Sequence, residues 1–430
     1  MKLTNKFINS SLISKTWNNL ASRISLMAAN KKAEIEFQSN GVLTLGVEIE
    51  LQLIDKSTMN LSPRAEEILK AVQHLKKVKP EFYLSTVEVN TGICETVQKV
   101  ERDIRSTFAE LNPAADKLGI AFSTTGAHPF AKYSDCIISQ TERYQELIDR
   151  NQWLTRRMTV YGLHVHLGMA SGDECIRYNN FFMNFMPHLL ALSASSPFWQ
   201  GVDTGLSSCR PTTYEALPTA GQPYHVRNWK DFVTLYESLK KCGSIKTLRD
   251  LWWDMRPSPG FGTLEIRVCD GCATLYETLA ITAFIHALAH WFADNGSWLE
   301  SVNSPPPWVS RENKWRTIRY GLDAELVMNI DGKTKSLRED IKEWVEKLKP
   351  YTEKLGYQEY LANLLTIVEN GTSSKRQLAV YDRNQSMEDV VKYNIEEYMH
   401  GKPQWKKHDA YNDNLLVNIQ MDKVKYAKPV

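Results

Sequence analysis

Glu48 and Glu50 lie two apart in the otherwise apolar stretch Gly46-Val-Glu-Ile-Glu-Leu51. In a β-strand successive side chains alternate faces, so this spacing sends both carboxylates one way and Val47, Ile49 and Leu51 the other. Three more stretches read alike: Thr86–Asn90 with Glu88, Leu163–Leu167 with His164 and His166, and Leu264–Val268 with Glu265 and Arg267. If these strands share one sheet, its polar face gathers carboxylates, imidazoles and a guanidinium within a few ångströms. So many carboxylates cannot stay ionised together without cations between them. Oxygen-rich ligands suit Mg²⁺, with Mn²⁺ as the second choice. The sharpest candidates are Glu48 and Glu50, and Glu88 joins them by the same logic. Of His164 and His166, one imidazole is expected beside a hard metal rather than a zinc pair.

Other candidates weigh less. Glu95 falls where a helix would begin, and interaction with the helix dipole competes with ligation there. His286 and His290 are four apart on an apolar stretch without the glutamate of a metalloprotease motif, so a core or interface role is expected. Cys269 and Cys272 form a lone CxxC and read as free thiols. Between Arg256 and Glu265, Pro257, Pro259, Gly260 and Gly262 fix a tight loop that can hold Arg256 rigidly for bidentate capture of phosphate or carboxylate. Those glycines match neither a phosphate-binding loop nor a dinucleotide fingerprint.

The elements that must position these residues alternate strand and helix. Strands are expected from Leu43 to about Leu53, at Thr86–Asn90, Ile120–Thr125, Val160–Met169 and Thr263–Val268. Helices are expected at Pro63–Leu75, Glu95–Leu118, Thr141–Leu154, Asp173–Ala194, Asp231–Cys242 and Leu275–Ala293, with Ser62 and Ser171 or Asp173 as caps. Ser195–Pro223, rich in Pro, Ser, Thr and Gly, reads as a substrate-facing loop. Pro305–Pro307 breaks the chain, and helices follow at Ser336–Leu348 and Tyr360–Asn370 as a packed continuation. Half-polar strands between helices point to an α+β sheet with one face open as an active-site floor. Central strands of a doubly wound parallel sheet would be apolar on both faces.

At 430 residues the chain can bury a large core. Its net charge of +2 gives no global electrostatic case for nucleic acid or membrane binding. Seven scattered cysteines do not form a secreted disulfide framework. No apolar run is long enough to span a bilayer. The first 33 residues carry Lys, Arg and Ser but no acid, a superficial likeness to a transit peptide. An amphipathic helix packing on the domain is the preferred reading, and a cytoplasmic location is expected.

Several ordered motifs together resemble the carboxylate–amine ligase family, also called glutamate–cysteine ligase type 2. They are GVEIELQLID, STVEVNTGICET, YGLHVHLGM, SSPFWQGVDTGLSSCR, WWDMRPSPGFGTLEIRVCD and NGTSSKRQL, spread from Leu43 to Tyr398. The resemblance implies a glutamine-synthetase-like catalytic fold: a curved, mostly antiparallel sheet whose concave polar face binds ATP and Mg²⁺, with helices on the other face. It implies a single catalytic domain over residues 41–400, between an N-terminal extension (1–40) and a tail (401–430). By the same resemblance Glu48, Glu50, Glu88, His164 and Glu265 match metal positions. Arg267 matches an arginine that meets the nucleotide phosphates, Arg256 a substrate or phosphate clamp, and Arg376 a position where an arginine recurs near the nucleotide. Many relatives carry an acid at position 49; Ile49 points to the apolar face here, so the metal set is untouched.

The chemistry implied is ATP-dependent amide formation through an acyl phosphate, with glutamate or a similar amino acid as acid and cysteine as the namesake amine. Phosphorylation turns a poorly electrophilic carboxylate into one with a good leaving group, and cations with arginines stabilise the transferring charge. Small-molecule substrates are expected, with homo-oligomerisation open and no general base singled out among the site acids and His166. Two rivals use the same residues: a metal-dependent amide or phosphate hydrolase that needs no ATP, and a nucleotide-binding regulator without catalysis.

Overall fold

The computed structural model describes residues 35–298 and 306–405. The expected N-terminal helix, and all but the first residues of the tail, lie outside the described residues. Seven strands form one sheet: β1 (Leu45–Asp55), β2 (Val78–Pro80), β3 (Thr86–Asn90), β4 (Ile120–Ser123), β5 (Gly162–Gly168), β6 (Met255–Ser258) and β7 (Thr263–Asp270). Their order is β6-β7-β5-β1-β3-β2, with β4 paired to the C-terminal part of β1. Every pairing in this sheet is antiparallel. The four ligand-bearing strands are therefore consecutive, in the α+β arrangement expected from their half-polar pattern.

Register brings the polar residues into rows. Glu48 lies opposite His164 on one side and Asn90 on the other, while Glu50 lies opposite Glu88. His166 faces Glu265, which in turn faces Arg256. A slip of one residue would send this whole set into the apolar layer, so burial of the other face fixes the register. That other face holds Leu45, Val47, Ile49, Leu163, Val165, Leu167, Leu264 and Ile266, all in one buried cluster.

The pairing of β7 with β5 slips between Ile266 and Cys269, a bulge around Arg267 and Val268. Ile266, Val268 and Cys269 all join the apolar cluster as a result, and simple alternation ends there.

Helix Leu275–Asp294 packs on the apolar face, capped by Thr274, whose hydroxyl accepts from Glu277 N at 3.3 Å. Helices Leu337–Leu355 and Gln358–Asn370 contribute Leu337, Ile341, Leu348, Leu361 and Leu364 to the same cluster. The expected single helix Asp173–Ala194 is instead two, Gly172–Phe182 and Met186–Ser193, separated by a tight turn at Met183–Phe185. Pro187 is the cause: it has no N–H to continue the first helix and fits the opening turn of the second. The helix expected over Pro63–Leu75 is confined to Ala65–Ala71.

Candidate active site

Glu48 is the hub of the polar face. Its Oε2 lies 3.2 Å from His164 Nδ1 and its Oε1 lies 3.2 Å from His166 Nε2. Burial alone would raise the Glu48 carboxyl, but the bonds and charge of the two imidazoles prevail and hold it below the usual carboxylate range. Burial and the nearby Arg267 push His164 down, which favours the neutral imidazole that metal ligation requires. His166 Nδ1 is anchored 2.8 Å from Thr263 Oγ1. Both histidines are buried although they sit on the polar face, so the site is a deep floor rather than an exposed sheet surface.

Three overlapping groups could each hold a cation: Glu48 with Glu88 and His164, Glu48 with His166 and Glu265, and Glu50 with Glu81 and Glu88. In each group one ligand atom per residue lies within 4.8 Å of the others. Burial and repulsion from neighbouring glutamates push Glu88 well above its usual range. Burial and the charge of Glu50 raise Glu81 to about 7. Clustered carboxylates that resist ionisation in each other's company are the arrangement a hard divalent cation neutralises. Glu50 is oriented by Gly162 N, which donates to its Oε2 at 2.5 Å.

Glu81 was absent from the sequence-derived set. It follows Pro80, the last residue of β2, in the phase of Lys79, which pairs with Glu88. Continuing the alternation one residue past a proline would have found it.

Glu265 is the second hub, bonded by two arginines and a serine. Its Oε2 accepts from Arg256 Nε at 3.0 Å and Nη2 at 2.8 Å, and from Ser258 Oγ at 3.2 Å. Its Oε1 accepts from Arg267 Nη1. Burial opposes ionisation, but Arg256 and Arg267 outweigh it and hold the carboxyl well below its usual range. Arg256 gives its remaining Nη1 to Leu251 O at 3.2 Å. The expected clamp is thus occupied with positioning Glu265. Arg267 keeps part of its guanidinium along a cleft that Glu50, His164, Arg210 and Trp253 also line.

Arg376 is not brought to this cluster. It is buried between Glu397, which accepts at 2.7 and 2.9 Å, and Glu277, which accepts at 2.8 Å, with Gly371 O at 3.3 Å. These contacts make it part of a core ion-pair network tying the last helices to Leu275–Asp294. Arg376→Lys is expected to cost about 1–3 kcal/mol of stability, because an ammonium cannot match the forked geometry. Denaturant unfolding checks this, and the apparent affinity for ATP should not move with it.

Glu95 also lies apart: it is exposed, precedes the helix Val97–Asp116 that Thr96 caps, and pairs with Lys99. His286 is a core residue as expected, with Nε2 2.8 Å from Leu43 O and Nδ1 2.9 Å from Tyr357 Oη. Cys269 and Cys272 are buried free thiols.

By fold the chain groups with known ligases. It is similar to the glutamate–cysteine ligase of Francisella tularensis solved in complex with AMP, with a TM-score of 0.58 at 12% identity, covering 84% of this chain and 90% of that one. It is also similar to the bifunctional glutathione synthetase of Pasteurella multocida, with a TM-score of 0.55 at 13% identity, covering 83% of this chain and 52% of that one. At these identities the likeness is one of fold. Sequence relatives are nearer. A protein of Bdellovibrio bacteriovorus, provisionally named glutamate–cysteine ligase 2, is 43% identical over 84% of this chain and 96% of its own length. A Gloeobacter violaceus protein with the same provisional name is 42% identical over 83% and 97%. The model of glutamate–cysteine ligase family 2 matches residues 44–399, and the chain belongs to that family. Among the described residues no helix is long and apolar enough to cross a membrane.

Proposed function

We propose that this protein is an ATP- and Mg²⁺-dependent carboxylate–amine ligase acting on small molecules in the cytoplasm, with residues 41–400 as one catalytic domain. The acid is glutamate or a related amino acid, the amine is cysteine or another small amine, and the amide forms through an acyl phosphate. The observation that carries this reading is the set of three overlapping ligand groups on one sheet face, bordered by Arg267. The donor set fits Mg²⁺: Glu48, Glu50, Glu81, Glu88 and Glu265 offer hard oxygens, with His164 and His166 at the margin. When bound, the ion supplies charge neutralisation for the transferring phosphoryl oxygens.

The chain's own residues do the rest by position. Arg267, held by Glu265, presents fixed positive charge along the cleft where negative charge spreads over the phosphoryl group. Arg256 locks Glu265 so that neither guanidinium drifts. Burial of His164 and His166 keeps water from competing at the base of the site. The likeness in fold to a ligase solved in complex with AMP supports the use of a nucleotide.

Coupled detection of ADP with Mg²⁺-ATP, glutamate and a panel of amines tests the reading. Release is expected only with acid and amine together; release unaffected by any amine would point to simple ATP hydrolysis. Mg²⁺ is also expected to stabilise the folded chain, by about 2.7 kcal/mol at a hundredfold excess over its dissociation constant. Thermal melts should show this shift in the wild type and lose most of it in Glu81→Gln. An equal shift in both would remove Glu81 from the ligand set.

A further inference from the structure

The ligase reading leaves the second anionic end of an acidic amino acid without a receptor. Arg256 is committed to Glu265 and to the Leu251 carbonyl, and Arg267 shares the same carboxylate. A third guanidinium, that of Arg210, lines the same cleft beside Glu50 and His164. Arg210 is only 6% exposed, yet among the described residues it has no ion-pair partner. Its Nη1 reaches Val268 O at 3.4 Å and its Nη2 reaches Arg267 O at 3.3 Å, both long contacts. Its Nε has no hydrogen-bond partner at all. A buried charge in this condition is costly unless a ligand completes it.

The surroundings are built to present that guanidinium. Asp270, fully buried beyond the β7 bulge, accepts from Ser195 N at 3.0 Å, Ser196 Oγ at 2.7 Å and Ser208 Oγ at 2.8 Å. The same Ser196 hydroxyl accepts from Arg210 N at 3.2 Å, which ties the arginine to this anchor. No hydrogen bond joins Asp270 to the guanidinium; burial raises the Asp270 carboxyl and the charge of Arg210 only partly offsets it. The Tyr214 ring supports the guanidinium from 5.1 Å. On the strand opposite, a Cβ at Gly162 would stand 2.4 Å from Arg210 Nη2, so only glycine lets the guanidinium lie over β5.

We infer that Arg210 is the receptor for the carboxylate of the amino-acid substrate that is not activated, and so sets selectivity for acids bearing a second anionic group. The inference rests on the ligase reading for its substrate class. The shared chemistry is an oxyanion, and a nucleotide phosphate is the other source. A guanidinium with a free Nε edge suits bidentate capture of a carboxylate.

Arg210→Met and Arg210→Lys, with unchanged melting confirmed first, separate these sources. At saturating Mg²⁺-ATP, Arg210→Met should raise KM for glutamate about 10- to 100-fold, with the lysine variant between it and wild type. KM for Mg²⁺-ATP should stay within about twofold. Wild type should favour glutamate over 4-aminobutyrate, which lacks the α-carboxylate, and Arg210→Met should lose that preference. Added guanidinium chloride at low concentration should partly restore glutamate use. A rise in KM for ATP instead would make Arg210 a phosphate contact, and unchanged constants would make it structural; either overturns the inference. Should wild type show no turnover, the ligase reading fails separately, and calorimetry of glutamate binding to the Mg²⁺-ADP complex still decides. Binding lost in Arg210→Met with ADP binding intact supports the assignment; equal binding, or none to wild type, overturns it.

Discussion

Glu48→Gln is expected to lower kcat/KM by about a thousandfold while the protein stays folded. Glu48 belongs to two of the candidate groups, as Glu88 does, and joins Glu88 and His164 to His166 and Glu265. The amide keeps the shape and can still meet the imidazoles, but removes the negative charge that both groups share. A loss of this size corresponds to about 4 kcal/mol of transition-state stabilisation, the scale on which cation-assisted phosphoryl transfer depends. Steady-state kinetics beside a melting curve checks it. A variant within tenfold of wild type would mean that Glu48 serves the histidines and not the reaction.

Glu265→Ala carries the largest expected loss of stability, about 3–5 kcal/mol, because it strands two guanidiniums. Arg256 and Arg267 both pair with Glu265, whose side chain is 2% exposed. Removing the carboxylate leaves like charges facing each other across β6 and β7 with little water to screen them. Turnover should fall together with stability, since Arg267 loses its fixed direction. Urea unfolding gives the number directly. A cost below about 1 kcal/mol would place this pair with ordinary surface ion pairs and contradict a tightly packed hub.

Much of the site was legible in the chain because strand alternation is a two-residue rule, and Glu48, Glu50, Glu88, His164, His166 and Glu265 all obey it. Their gathering on consecutive antiparallel strands followed from one buried apolar face. What escaped was whatever depends on tertiary neighbours. Glu81 lies one residue past Pro80, at the end of a three-residue strand too short for its alternation to stand out in the sequence. Arg210 opens the short helix Arg210–Tyr214, inside a stretch whose Pro, Ser, Thr and Gly content reads as a loop, and its lack of an ion-pair partner is a property of the folded cleft. The bulge at Arg267 and Val268 resets the phase and aims Asp270 at the serine loop, an event with no local signature. Arg376 was placed near nucleotide by resemblance, yet its partners stand 21 and 99 residues away in the chain, and neither shows in the motif around it. Pro187 split a helix whose apolar pattern alone runs on unbroken.

The central claim is that a carboxylate is activated by phosphorylation on this sheet face. The most direct measurement uses glutamate labelled with ¹⁸O in its γ-carboxylate, turned over with Mg²⁺-ATP and the amine that supports ADP release. An acyl phosphate transfers one carboxylate oxygen to the phosphate released with each amide formed, and mass spectrometry of that phosphate should find one ¹⁸O. Phosphate free of label, or AMP and pyrophosphate in place of ADP, would contradict the account.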